Sequence, residues 1–365
     1  MSPPDGGEGI AFRMLVEHLR ENSNYELILI DKVYRQGLKV RRFLNPIRVV
    51  LKTINSLFKN NITGLYLTCG QTFGGIIRDA FVIGIGKFSG IPVIMHLHGG
   101  GIHAIYQSKS MIFQRLMVLA YRQATKIIVL GDSLLSQFSF LDDQSVLEVI
   151  PNAYGCEAPD ILVDNNFYDE LKSNKKFNLL YLSNVLPSKG LFDVLETCLQ
   201  MKSTKIPFEF HFAGEVVPEN KWSKNKIENV IQNYQKKLLD TEFIIHGFVT
   251  GTKKWNIIKR AHVFILPTHY HFEGQPISVI EAMYGGCCVL ATAYRGIPDI
   301  LKESKNGWYI TTGNTESIVS RLKWLWKHPE KLKQIGISNH FEAKEKYSTS
   351  VFQKRMLTLF QEVFL

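Results

Sequence analysis

No stretch of the 365-residue chain reaches the roughly 18–20 consecutive apolar residues that a membrane-spanning helix needs, although 45% of its residues are hydrophobic. The apolar residues are therefore read as material for packed cores, and the length is enough for two of them. The opening MSPPDGGEGI has neither a basic n-region nor an apolar h-region, so no secretory signal is read there. Cysteine is scarce. Cys69, Cys156, Cys198, Cys287 and Cys288 are odd in number and scattered, with no C-x-x-C, which excludes a disulfide framework or zinc knuckle. They are read as buried reduced thiols, and the chain as cytoplasmic. Acid is missing from one region. Nine basic residues and no acidic one lie between Lys32 and Arg78, in a chain of net charge +10.

That region interleaves its cations with apolar residues in LKVRRFLNPIRVVLKTINSLFKN, with Pro46 expected to split it into a short helix and a longer one. Residues 32–59 have two readings. One is a surface that attracts an anionic membrane, met from the inner face, or a pyrophosphate-linked acceptor; the other is an ordinary amphipathic helix whose solvated side is basic. Nucleic acid is not expected as a partner, because no recognition motif accompanies the charge.

Short apolar runs alternate with helix-sized intervals. Strands are expected at 26–30, 64–68, 92–96, 126–130 and 146–150, then at 178–182, 208–213, 242–246, 262–266, 287–291 and 307–310. Runs of this kind read as parallel strands buried on both faces, and their alternation with helices as βαβ units. Pro151, Asn152, Gly155 and Pro159 break regular structure near the middle, so the junction is placed across 155–175. The resulting fold class is α/β, with two Rossmann-like doubly wound domains, 1–165 and 166–345. The final helix, 346–365, is expected to pack back towards the first domain. A Rossmann-like half opens with a strand and then a glycine-rich turn, yet PPDGGEG begins at residue 3. Either the start is truncated or this half manages with one strand fewer.

The sharpest chemical signal is HYHFEGQPISVIEAMYGG, residues 269–286, in which Glu273 and Glu281 form a Glu-x7-Glu pair. The spacing puts Glu281 on a helix and Glu273 in the loop before it. A helix N-terminus after a parallel strand presents N–H groups and a positive dipole end suited to a diphosphate. A capping acid plus a solvated helix acid would give the same spacing. His96 and His98 alternate along a strand and face one side. No third ligand is evident beside them or beside HYH at 269–271, and there is no D-x-D, so no metal and no cofactor is expected.

Other segments fall in a telling order: IPVIMHLHGG (91–100), KIIVLGDSL (126–134), VIPNAY (149–154), LLYLSNVLPSKGLFDVLE (179–196), FHFAGE (210–215), IIHGFV (244–249), the Glu-x7-Glu block, and RGIPDIL with NGWYI (295–310). In this ordered set the chain resembles glycosyltransferase family 4, retaining enzymes of the GT-B fold. The resemblance implies a transferase that moves a sugar from a UDP- or GDP-linked donor, itself a substrate, onto a glycan or lipid-linked acceptor, most naturally in surface polysaccharide synthesis. It implies two domains closing on both substrates, the first holding the acceptor and the second the donor.

Carried over by position, Glu273 lies near the donor sugar's hydroxyls and Glu281 binds the ribose. The backbone around Gly274, Gln275, Pro276 and Ile277 faces sugar and phosphates. Here E-G-Q-P-I-S stands for the family's E-G-F-G-L-P, and Pro276 removes one N–H donor. Lys189 holds the diphosphate. Asn184 occupies the place of a family arginine; an amide can bond phosphate but not neutralise it, so either leaving-group stabilisation is weaker here or another cation supplies it. His98 is implied at the reacting carbon, and Gly6 and Gly7 in the loop approaching donor and acceptor. Two rivals stay open: a nucleotide-sugar epimerase on the same fold, and a non-catalytic partner of another transferase that binds a sugar nucleotide or membrane.

Overall fold

The computed structural model describes residues 7–22, 25–30, 39–155, 157–161, 176–238 and 243–365. Gly6, Cys156, Lys32, Arg35 and most of the 155–175 junction lie outside them. The chain divides into two compact units. One comprises the residues up to Asn152 together with Phe272–Gln275 and Thr349–Leu365; the other comprises Ala153–His271 and Pro276–Ser348.

The first unit has the order α1 (Gly7–Asn22), α2 (Lys39–Lys59), β1 (Leu65–Thr68), α3 (Phe73–Phe88), β2 (Val93–His96), α4 (Ile102–Gln107), α5 (Met111–Tyr121), β3 (Lys126–Val129) and β4 (Leu147–Val149). Its four strands are parallel, in the order β1-β2-β3-β4. The period of two sorts β1 across the sheet. Leu65 and Leu67 join the core formed by Ile76 and Ile83 of α3 with Val93 and Met95 of β2. Tyr66, between them, meets Phe12 of α1 and Phe360.

Two expectations fail here. Residues 26–30 form no strand: a run becomes a strand only when a neighbour completes its ladder, and among the described residues this one has no strand partner, while Ile28 and Leu29 stay exposed. Pro46 does not split the basic segment either, because α2 runs unbroken from Lys39 to Lys59 with Pro46 inside it.

The second unit opens with β5 (Phe177–Leu182) and continues with α6 (Leu191–Lys202), β6 (Phe208–Ala213), α7 (Lys224–Gln235), β7 (Phe243–Gly247), α8 (Gly251–Ile258), β8 (Val263–Leu266), α9 (Ile277–Tyr284), β9 (Cys288–Thr292), α10 (Ile297–Ile300) and β10 (Gly307–Ile310). Helices α11 (Thr315–Lys327) and α12 (Pro329–Lys346) complete it, and α13 (Thr349–Phe364) belongs to the first unit. The six parallel strands lie in the order β10-β9-β8-β5-β6-β7. The order reverses at β5, whose neighbours are β8 and β6. Ligands of open parallel sheets bind beyond the strands' carboxyl ends at such a switch point. Cys287 and Cys288 are fully buried, burial pushes both thiols up, and they serve as packing.

Among the described residues no helix is long and apolar enough to cross a membrane.

Candidate functional site

Beyond β5 the chain passes Asn184 and turns through Pro187–Lys189 into Gly190, whose φ is +83° and whose Cβ, if it had one, would overlap Pro267. Glycine therefore fixes the turn and brings Lys189 beside the segment that follows β8. The amide of His269 donates to the Ser188 carbonyl (2.7 Å), and Lys189 Nζ lies 5.0 Å from the centre of the Tyr270 ring. Asn184 is exposed, and its carbonyl accepts from the Tyr181 hydroxyl (3.1 Å).

Beyond β9 stands a residue that sequence reasoning did not single out. Arg295 holds φ at +52°, a region in which side-chain-bearing residues are strained. Its guanidinium reaches the His271 carbonyl at 3.5 Å. Two cations, from the ends of β5 and β9, thus converge on residues 269–271 at the end of β8. The only available signal was the lone cation of RGIPD, invisible as a site without the strand order.

Pro276 stands directly before α9 with φ −69° and ψ 118°, and its carbonyl accepts from Val279 (3.1 Å). The N–H it lacks would have preceded the helix. Glu281 is a turn further on and buried. Its carboxylate takes a 2.6 Å bond from Lys254 of α8 and a backbone bond from Gly155. Burial raises its pKa, and the Lys254 cation opposes that rise. The Lys254 partnership carries no sequence signal, since the two residues are 27 apart on different helices.

In the first unit, β2 ends at His96 and leads to His98. The rings of His96 and His98 lie against each other at a tilt of 31°, with centroids 3.9 Å apart. His96 is fully buried and bonded through Nδ1 to the Tyr66 hydroxyl (2.7 Å). Burial holds its pKa well below the usual imidazole value, the neighbouring His98 adds to this, and Glu8 opposes it. The sequence did not flag Tyr66.

The loop Phe272–Gln275 belongs to this same unit. A Cβ on Gly274 would overlap the carbonyl oxygen of His98, so only glycine lets the loop lie this close. Gln275 is locked by Asn152: its Oε1 accepts from the Asn152 amide (2.7 Å), and its carbonyl accepts from the Asn152 side chain (2.8 Å). Glu273, between them, is buried.

The structure therefore brings His98 together with Gly274 in the first unit. In the second it brings Lys189 beside Tyr270 and places Glu281 and Ile277 on one helix. Gly7 is the first residue of α1. Among the described residues no group of three or more His, Cys, Asp or Glu is arranged to hold a metal ion.

Residues 163–339 match the family model for glycosyl transferases group 1. A Salmonella typhimurium protein named as a colanic acid biosynthesis glycosyltransferase, WcaL, is 27% identical over 148 residues, which is 40% of this chain and 34% of that one. The Staphylococcus aureus poly(ribitol-phosphate) alpha-N-acetylglucosaminyltransferase is 23% identical over 246 residues, 66% of this chain and 47% of its own length. The chain thus spans between a third and a half of these curated relatives. Among solved structures, Anabaena Alr3699/HepE in complex with UDP-glucose superposes with a TM-score of 0.72 at 15% identity, covering 99% of this chain and 98% of that one. Likeness at that identity shows the fold, which is GT-B.

Proposed function

We propose, from the premise that residues 163–339 form a domain of the glycosyl transferases group 1 family, that this chain transfers a sugar from a nucleotide diphosphate-sugar to a glycan or lipid-linked acceptor. The anomeric configuration is retained, and the product belongs to a surface polysaccharide. The observation that carries the reading is the convergence of Lys189 and Arg295 at the carboxyl ends of β5, β8 and β9, beside the N-terminus of α9.

Breaking the bond between the anomeric carbon and the diphosphate leaves negative charge on the departing nucleoside diphosphate. In a site with restricted water, fixed cations and backbone N–H groups stabilise that charge without reorganising. Lys189 supplies one cation. Asn184 offers an amide and no charge, and Arg295 supplies the second cation from the other side of β8. Glu281, already held by Lys254 and the Gly155 amide, is oriented to accept from ribose hydroxyls. Glu273 accepts from the sugar, and His98 stands at the reacting carbon, its backbone fixed against Gly274. HepE is known in complex with UDP and UDP-glucose, which supports uridine as the base. No metal enters this scheme. The polysaccharide context of the relatives supports work at the inner face of an anionic membrane, met through residues 32–59.

The test is a thermal-shift titration with UDP and with GDP, no metal added. Stabilisation by UDP and not GDP is expected, because a ligand that binds only the folded state raises its melting point. Glu281→Ala should weaken that response. No shift with either nucleotide would remove the donor site from this account, and equal UDP affinity in Glu281→Ala would remove the ribose role.

A further inference from the structure

The low-acid region extends well past the basic stretch. From Lys32 to Gly131 the chain has fourteen basic residues and a single acid, Asp79. Asp79 is fully buried and paired with Arg78. The whole chain has only ten more basic residues than acidic ones, so everything outside this region carries more acid than base. Three helices present the region's surface, since α2 packs on α3 and α3 on α5.

The same helices expose apolar side chains. Among the described residues, ten of the seventeen exposed large hydrophobic side chains lie between Ile47 and Leu119. On α2 these are Ile47, Leu51 and Phe58, four and seven residues apart, which at about 100° per residue form one stripe about 40° wide. Arg48, Lys52 and Lys59 each follow one of them and form a parallel cationic stripe. On α3, Phe81 and Phe88 are seven apart and share a stripe, and Phe88 is 95% exposed with Lys87 beside it. On α5, Ile112, Leu116 and Leu119 repeat the pattern beside exposed Arg115. The α3 and α5 patches join where the rings of Phe73 and Phe113 approach to 5.0 Å, with Lys109 5.4 Å over the Phe73 ring.

Aromatic and aliphatic side chains in water are costly, and monomeric proteins rarely gather so many on adjoining helices without a partner. The occupant must accept apolar groups while presenting negative charge continuously over three helices. A lipid surface with anionic headgroups does both: apolar side chains enter the acyl boundary and the cations meet the headgroups. We propose that the joined outer faces of α2, α3 and α5 dock this chain onto an anionic bilayer. The inference deepens the membrane part of the reading above by adding α3 and α5 to residues 32–59, and it holds whatever sugar is transferred.

The test is flotation of the full chain with vesicles of phosphatidylcholine alone and of equimolar phosphatidylcholine and phosphatidylglycerol. Binding is expected only to the second, falling as salt rises. The triple variant Lys52→Glu/Lys59→Glu/Arg115→Glu should weaken it on the order of a hundredfold, at about fivefold per cation. Phe58→Ser/Phe81→Ser/Phe88→Ser should abolish insertion while leaving the thermal shift with UDP intact. The thermal shift separates failure of this docking surface from failure of the donor site. Absence of flotation with anionic vesicles overturns the proposal. So does flotation that neither triple variant changes. A dimer on size exclusion that the phenylalanine variant dissociates, with no vesicle binding, would assign the face to a second protein instead.

Discussion

Lys254 Nζ lies 2.6 Å from Glu281 Oε1, both side chains almost wholly withdrawn from water. A carboxylate there needs its cation. Replacing Lys254 by Met leaves Glu281 buried and uncompensated, which costs about 3 kcal/mol when one partner of such a pair is removed. Burial already raises the pKa of Glu281, and losing Lys254 raises it further. A raised folded-state pKa gives stability that is complete below the unfolded value and is lost as pH rises through the folded value. The variant should therefore be more destabilised at neutral pH than in mild acid. Urea unfolding at the two pH values checks this, and an equal loss at both would mean that Glu281 is not the group left stranded.

The strands after residue 60 were legible in the sequence because buried parallel strands are short runs of Ile, Val, Leu and Phe, and β6 and β10 have the predicted bounds. Residues 26–30 carried the same composition and misled, since pairing depends on a neighbour that composition does not show. Pro46 misled in the opposite direction, as a local breaker that the helix accommodates. At the site, Glu273, Glu281 and Lys189 were readable as motif positions. Lys254, Arg295 and Tyr66 were not, because each acts through contact with a residue far away in sequence, and a single sequence holds no record of that proximity.

Acid should act on a histidine pair in the second unit. His211 Nδ1 and His246 Nε2 are 3.0 Å apart, with Glu209 3.6 Å from the other nitrogen of His211. Burial pulls His211 down to about 4, with His246 and Arg260 adding to the fall and Glu209 opposing it. His246 is lowered too, by burial and Lys253. A depressed folded-state pKa gives stability that is complete above the unfolded value, about 6.5 for histidine, and is lost as pH falls towards about 4. His211→Phe should flatten that limb of a stability-against-pH curve. His96, also depressed, would keep part of the slope. A curve unchanged by the substitution would exclude His211 as its source.

Gly274 is required by space. Its φ is not left-handed, but a Cβ would overlap the carbonyl oxygen of His98, a backbone atom that cannot swing aside. Gly274→Ala must displace the loop Phe272–Gln275, at a cost of about 1–3 kcal/mol typical of overpacking. Because Glu273 sits in that loop, turnover of UDP-glucose should fall more than UDP affinity does. Measuring both separates the two effects. Unchanged turnover with unchanged melting would show that the loop relaxes without consequence.

Arg295 allows a sharper test, because its backbone and its charge make opposite demands. A side-chain-bearing residue at φ +52° costs roughly 1 kcal/mol relative to glycine. Arg295→Gly should relieve that strain and raise the melting temperature by about 2–4 °C, while removing the second cation proposed for the diphosphate. UDP affinity should then fall while uridine affinity does not, since the lost interaction is with phosphate charge. Arg295→Ala keeps the strained backbone and loses the same cation, so it should lose UDP affinity without the gain in melting temperature. If both variants bound UDP as the unaltered chain does, Arg295 would be a strained turn residue, and the neutrality of Asn184 would need compensation from elsewhere.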